Sequence, residues 1–115
     1  MDAHAGGGEE VAFIKAEADP SGQCTCGLFN SRLGFGVALR YQKKELPWLM
    51  NWQHWGKGEY VTGLEPATHP PLGQKKARED GTLILLEPGE SRNYHLELEI
   101  LNKEESINEF LKLNQ

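Results

Sequence analysis

Between Leu46 and His69 the chain gathers most of the groups that could do chemistry. All three tryptophans, Trp48, Trp52 and Trp55, stand there, with His54, Glu65 and His69 close by. If this stretch is extended, Trp48, Met50, Trp52 and His54 share one face and Leu49, Asn51, Gln53 and Trp55 the other. Neither face is purely apolar. Aromatic rings beside amide and imidazole groups suit a sugar, whose C–H faces stack on rings while its hydroxyls require polar partners. The same tryptophans also suit an ordinary core, where buried aromatics dominate the packing.

Glu65 is the sharper feature. In the strand that it ends, Val61, Gly63 and Glu65 point the same way, and Gly63 leaves open space two positions back. Pro66 holds Glu65 extended and removes the next ladder donor. A carboxylate so placed, beneath a Pro-rich loop, can serve as a general base. A solvated glutamate at a strand end is the plainer alternative. Lys75, Lys76 and Arg78 follow in that loop, where Arg78 could make an outer contact to a sugar phosphate or the three could form a solvated charge run. His54 with Glu59 hints at a cupin-like metal site, which would want two histidines one residue apart and a nearby glutamate. Cys24 and Cys26 are too close for an easy disulfide within a strand and supply only half of a zinc site. They read as two reduced thiols of a cytoplasmic protein.

The elements that must position these groups are mostly strands. Residues 1–10, with Gly6-Gly7-Gly8, read as a flexible leader. Val11–Ala16 predicts a strand closed by the turn Asp19-Pro20-Ser21-Gly22. Cys24–Phe29, Phe35–Tyr41, Trp48–Trp55 and Tyr60–Glu65 predict four more. Ala67–Gly81, holding Pro70, Pro71 and Gly73, reads as a long loop. Thr82–Leu86 is a nearly continuous apolar strand. Ser91–Leu101 alternates, with Tyr94, Leu96, Leu98 and Ile100 on one face and Asn93, His95, Glu97 and Glu99 on the other, as a half-solvated antiparallel strand does. Ser106-Ile107-Asn108-Glu109 fits a capping box opening a short C-terminal helix. The pattern is all-β, an antiparallel β-sandwich over residues 11–103 followed by a helical tail over 104–115.

The chain has 115 residues, one domain's worth, and a formal net charge of −5. Acidity without a basic stripe argues against nucleic acid, because phosphate contacts need clustered Lys and Arg. The longest apolar run, Leu83-Ile84-Leu85-Leu86, is far short of the roughly 20 residues that a bilayer requires, so no membrane partner is expected. The start shows neither a basic leader nor an apolar stretch, so no signal peptide is expected.

Several pieces together carry a resemblance. Gly34-Phe35-Gly36-Val37-Ala38-Leu39-Arg40, Leu46-Pro47-Trp48 through Trp52, Tyr60-Val61-Thr62-Gly63-Leu64-Glu65-Pro66 and Leu86-Glu87-Pro88-Gly89-Glu90-Ser91 resemble the C-terminal part of the aldose 1-epimerase (galactose mutarotase-like) superfamily. The chain looks closest to a branch of that superfamily whose function is unknown. The resemblance covers the run from Phe35 to Leu101. It implies a partial mutarotase-like sandwich with a concave sugar-binding face, no cofactor, and Glu65 at the position of the glutamate that takes the anomeric proton. The family's proton-donating histidine belongs to strands upstream of the matched run, so neither His54 nor His69 inherits that role.

Three functions are thereby open. The first is a carbohydrate-binding fragment, taking an aldose or sugar phosphate without turnover, with Trp52, His54, His69 and Arg78 around Glu65. The second is an active epimerase-like isomerase that uses Glu65 as base, and the third is the cupin-like metal protein. Strands missing from a larger sandwich would leave a sheet edge or face uncovered, so a homo-oligomer, most economically a dimer, is expected as well.

Overall fold

Alternating apolar and polar residues, punctuated by Asx and glycine turns, carry the chain through a series of strands. The computed structural model describes residues 8–58 and 60–113. Along them run β1 (Gly8–Ile14), β2 (Gln23–Asn30), β3 (Phe35–Gln42), β4 (Trp48–Trp55), β5 (Val61–Ala67), α1 (Gln74–Asp80), β6 (Leu96–Leu101) and α2 (Glu104–Leu113). The strands form two three-stranded sheets, ordered β1-β4-β5 and β2-β3-β6, and every pairing is antiparallel. The fold is therefore all-β and antiparallel, as expected. β1 starts at Gly8, inside the segment read as a leader, while residues 1–7 lie outside the described residues.

Two compact units result. One holds β1, β4, β5 and α1, the other β2, β3, β6 and α2, and the chain passes between them at Lys15–Ala16, Glu45–Leu46 and Ser91–Arg92. The turns use their short polar side chains as the sequence suggests. Asp19 Oδ1 accepts hydrogen bonds from Ser21 N–H (2.9 Å), Ser21 Oγ–H (2.6 Å) and Gln23 N–H (3.0 Å). Asn30 Oδ1 accepts from Arg32 N–H (3.0 Å) and Leu33 N–H (3.1 Å), closing the β2–β3 hairpin.

In the β2-β3-β6 sheet, α2 covers the face that carries Gly27, Ala38 and Leu101. Ala38, Leu101 and Phe110 are buried together there, with Phe29 and Ile107 against them. Gly27 makes the seat: a Cβ on it would stand 2.9 Å from the Phe110 ring. On the same face Arg40 reaches Glu97 (3.2 Å) and Glu99 (2.8 Å). The opposite face carries Leu28, Val37, Leu39, Leu96, Leu98 and Ile100 by register, and Leu98 there is 66% exposed. The alternation of β6 is thus as read, but its covered side is the one bearing the glutamates.

Four expectations need correction. Thr82–Leu86 is no strand: the N–H groups of Thr82 and Leu83 are spent on the Ala77 carbonyl at the end of α1 (2.9 and 3.0 Å), and Leu85 is 72% exposed. Ser91–His95 stays outside β6, because β3 ends at Gln42, just past the Tyr41–Leu96 pair, and His95 N–H bonds Glu45 Oε1 instead (2.8 Å). The loop after Ala67 contains α1, hidden from periodicity because Ala77 is its one buried residue. The helix α2 opens two residues before Ser106, which lies in its first turn and donates its hydroxyl to the Lys103 carbonyl (3.0 Å), so the expected box does not form. Glu104 and Glu105 in that first turn complement the helix dipole.

Candidate functional site

The β1-β4-β5 sheet positions the groups singled out above. Cross-strand pairing sets Met50 opposite Glu65, Trp52 opposite Gly63 and His54 opposite Val61, with Phe13 and Val11 beside Met50 and Trp52 on β1. Directly paired residues point to the same face. Trp48, Trp52, His54, Gly63 and Glu65 therefore share one face, as the period-two reading requires. Trp52 and His54 stack, with ring centroids 6.4 Å apart and planes 26° from parallel. β5 accepts Pro66 because it is an edge strand, paired only with β4, where a missing ladder donor is tolerated.

The space above Gly63 has an occupant. A Cβ added there would lie 3.3 Å from Glu65 Oε1, so the Glu65 side chain folds back over Gly63, the residue paired with Trp52. Glycine keeps room for this carboxylate beside the indole. Glu65 is exposed and has no hydrogen-bond or ion-pair partner among the described residues, so its oxygens can accept hydrogen bonds from a ligand.

The amides on the other face of β4 are already committed. Trp55 Nε1–H donates to Gln53 Oε1 (3.1 Å) and Gln53 Nε2–H to Asn51 Oδ1 (2.5 Å). Asn51 Nδ2–H then donates to Thr62 Oγ1 (2.8 Å) and the Gly63 carbonyl (3.0 Å). This relay ties β4 to β5 behind the Glu65 face and fixes Gly63 from below. The amides thus serve as support for the face and are not part of it.

His69 and Arg78 are not on that face by register. His69 follows the end of β5, half-buried, with Nδ1 2.9 Å from the Pro70 carbonyl. Arg78 is exposed on α1, together with Lys75 and Lys76, the latter paired with Asp80 (3.1 Å). Glu59, which the cupin-like reading joins to His54, lies outside the described residues. Among the described residues no three of His, Cys, Asp and Glu come together as a metal cluster.

A feature that the sequence reading missed lies in the other unit. Gln23, Arg40, Tyr41, Gln42, His95, Leu96 and Glu97 line a shallow hollow of about 180 Å³. His95 sits there with its ring Nδ1 3.1 Å from Glu45 Oε2. Hydrogen bonds from the His95 backbone and ring hold the Glu45 carboxyl below its usual range. Beside them burial, reinforced by Cys24 and Cys26, pushes the Tyr41 hydroxyl up, and burial likewise raises the Cys26 thiol. Tyr41 falls at the end of the expected strand Phe35–Tyr41, but no local signal in the sequence pairs it with Cys24 or brings His95 to Glu45.

Fold and site define an antiparallel all-β protein whose first sheet presents an aromatic–imidazole–carboxylate face. The chain belongs to the family described as Domain of unknown function (DUF4432), whose profile matches residues 1–100. No curated protein and no solved structure matches it. The helix α2 lies beyond the matched residues. No helix among the described residues is long and apolar enough to cross a membrane.

Proposed function

We propose that the chain is a carbohydrate-binding module related to the aldose 1-epimerases, taking an aldose or sugar phosphate on the Glu65 face of the β1-β4-β5 sheet. One observation supports this most: Trp52, stacked with His54, lies opposite Gly63, over which the unpartnered Glu65 carboxylate is folded. A pyranose C–H face stacks on an indole while a carboxylate accepts two of its hydroxyls. Arg78 and His69 contact the ligand only from outside this face, the former as a screen for a phosphate.

Turnover is not part of the role of this chain alone. Anomer exchange needs a base to take the proton from the anomeric hydroxyl and an acid to protonate the ring oxygen, so that the ring opens, rotates about C1–C2 and recloses. Glu65 can supply the base. The His69 ring is engaged by the Pro70 carbonyl, and His54 is stacked on Trp52 of the same strand. The free thiols Cys24, buried, and Cys26, half-buried, support a reducing, cytoplasmic setting.

Titration of the labelled chain with a panel of aldoses and aldose phosphates, followed by NMR, tests the reading. Shifts confined to the Trp52 indole, His54, Gly63 and Glu65, and weakened in Glu65→Gln, are expected. Saturable shifts that leave these four residues unmoved, or none with any sugar, would refute it.

A further inference from the structure

We propose that β2 is the edge along which the chain pairs with a second copy of itself, antiparallel, with Gly27 opposite the partner's Gly27. The inference is independent of sugar binding. β2 has a single strand neighbour, β3. Its even-numbered residues point their backbone groups at β3, as the bond from Lys43 N–H to the Gly22 carbonyl (3.0 Å) shows one step before the strand. The odd-numbered residues point outward. At Gln23 both outward groups are already closed, its N–H on Asp19 Oδ1 (3.0 Å) and its carbonyl accepting from Asp19 N–H (2.9 Å). That cap leaves Thr25, Gly27 and Phe29 with outward donors and acceptors and no strand beyond them.

Composition distinguishes this edge from the others. β1 carries Glu9 and Glu10, β5 carries Glu65 and Pro66, and β6 carries Glu97 and Glu99. Charges and prolines on edges are the usual devices that stop strands from adding to strands. β2, reading QCTCGLFN, has neither. The occupant follows from charge. With a net charge of −5, two copies repel wherever carboxylates meet, and a two-fold pairing of β6 about Leu98 would set Glu97 against the partner's Glu99. A two-fold pairing of β2 about Gly27 sets Thr25 against the partner's Phe29 and Cys26 against the partner's Leu28, with no like charges opposed. Glycine at the axis also leaves room for Phe110, which is seated directly over it. The product is one six-stranded sheet.

Sedimentation of the whole chain across the micromolar range reads the equilibrium. A reversible monomer–dimer is expected, weakened at least tenfold by Thr25→Pro, which removes an outward donor, and by Thr25→Glu, which charges the edge. The new carboxylate of Thr25→Glu faces its own Arg40 across the β2–β3 pair, so this variant carries the test if the proline variant fails to fold. Leu28→Cys adds a positive readout. With glutathione disulfide as oxidant, its sulfur bonds the partner's Cys26 while two protons and two electrons pass to glutathione, giving a covalent dimer that the parent chain does not form. A strictly monomeric parent, a dimer indifferent to both Thr25 variants, or a Leu28→Cys chain that stays unlinked while the parent dimerises would each overturn the proposal. Open-ended oligomers would do so too, placing self-association on the apolar sheet face instead.

Discussion

Adding a single methyl group at Gly63 separates the site reading from a purely structural one. In Gly63→Ala the new Cβ would stand 3.3 Å from Glu65 Oε1, 3.6 Å from Cδ and 3.7 Å from Cγ, so the carboxylate must swing away from its place beside Trp52. Glu65 is exposed and flexible, so the fold absorbs the change. Alanine gains about 0.5–1 kcal/mol over glycine inside a strand, and net stability should stay within about 1 kcal/mol of the parent. The ligand fares worse. A hydrogen bond to a charged acceptor contributes about 1.5–3 kcal/mol, which corresponds to roughly a tenfold to hundredfold loss of sugar affinity. Calorimetric titration with the best sugar of the panel measures it. Glu65→Gln should lose a similar amount, and Gly63→Ala should cost little more on that background, because both remove one interaction. Unchanged affinity in Gly63→Ala would show that the carboxylate does not act from above Gly63. An undiminished loss on the Glu65→Gln background would assign the effect to stacking on Trp52.

Other expectations follow from neighbouring features. Phe110→Ala empties the seat over Gly27 and Ala38 and should destabilise the chain by about 3 kcal/mol, with loss of α2 helicity; urea denaturation followed by circular dichroism reads both. Hydrogen bonds from the Ser21 hydroxyl and the Gln23 amide lower the Asp19 pKa, so the melting-temperature advantage of the parent over Asp19→Asn should be full at neutral pH and fade as pH falls through that depressed value. Glu45 obeys the same sign through His95, and its carboxyl carbon should titrate in NMR below the ordinary glutamate range. Exchange between α- and β-glucose, followed by NMR, should run at the buffer rate in the presence of this chain. A faster rate that vanishes in Glu65→Gln would restore the epimerase reading.

Where neighbours in sequence decide structure, the residues told the outcome in advance. Trp48–Trp55 alternates because both its faces are used, and the strand has those bounds. The Asp19 turn depends on a side chain that bonds backbone two to four residues on, which is local chemistry. Glu65, Trp52 and His54 fell on one face because the register of a single hairpin set them there. What local pattern could not show was which partner each strand finds. An apolar run such as Leu83–Leu86 becomes a strand only where an open edge lies beside it, and here its first amides went to α1. The Asn51–Gln53–Trp55 relay was equally invisible, since amides read as sugar ligands until their hydrogen bonds are counted.

The interleaving of the two units has a consequence for the order in which the chain can assemble. The hairpins β2–β3 and β4–β5 close short loops and can form as soon as they are synthesised. β1 must wait for β4, with the whole β2–β3 hairpin between them, and β6 must find β3 across a span exemplified by Arg40 and Glu97, 57 residues apart. Long closures are slow because their entropy is lost before any contact repays it. The outer strands are thus the last to arrive, and a nascent chain stalled before β6 would expose both edges of the β2–β3 hairpin. For the same reason no single cut yields either unit intact. A deletion through β1 from the N-terminal side takes a strand from the first sheet alone, and one through β6 from the C-terminal side takes a strand from the second alone.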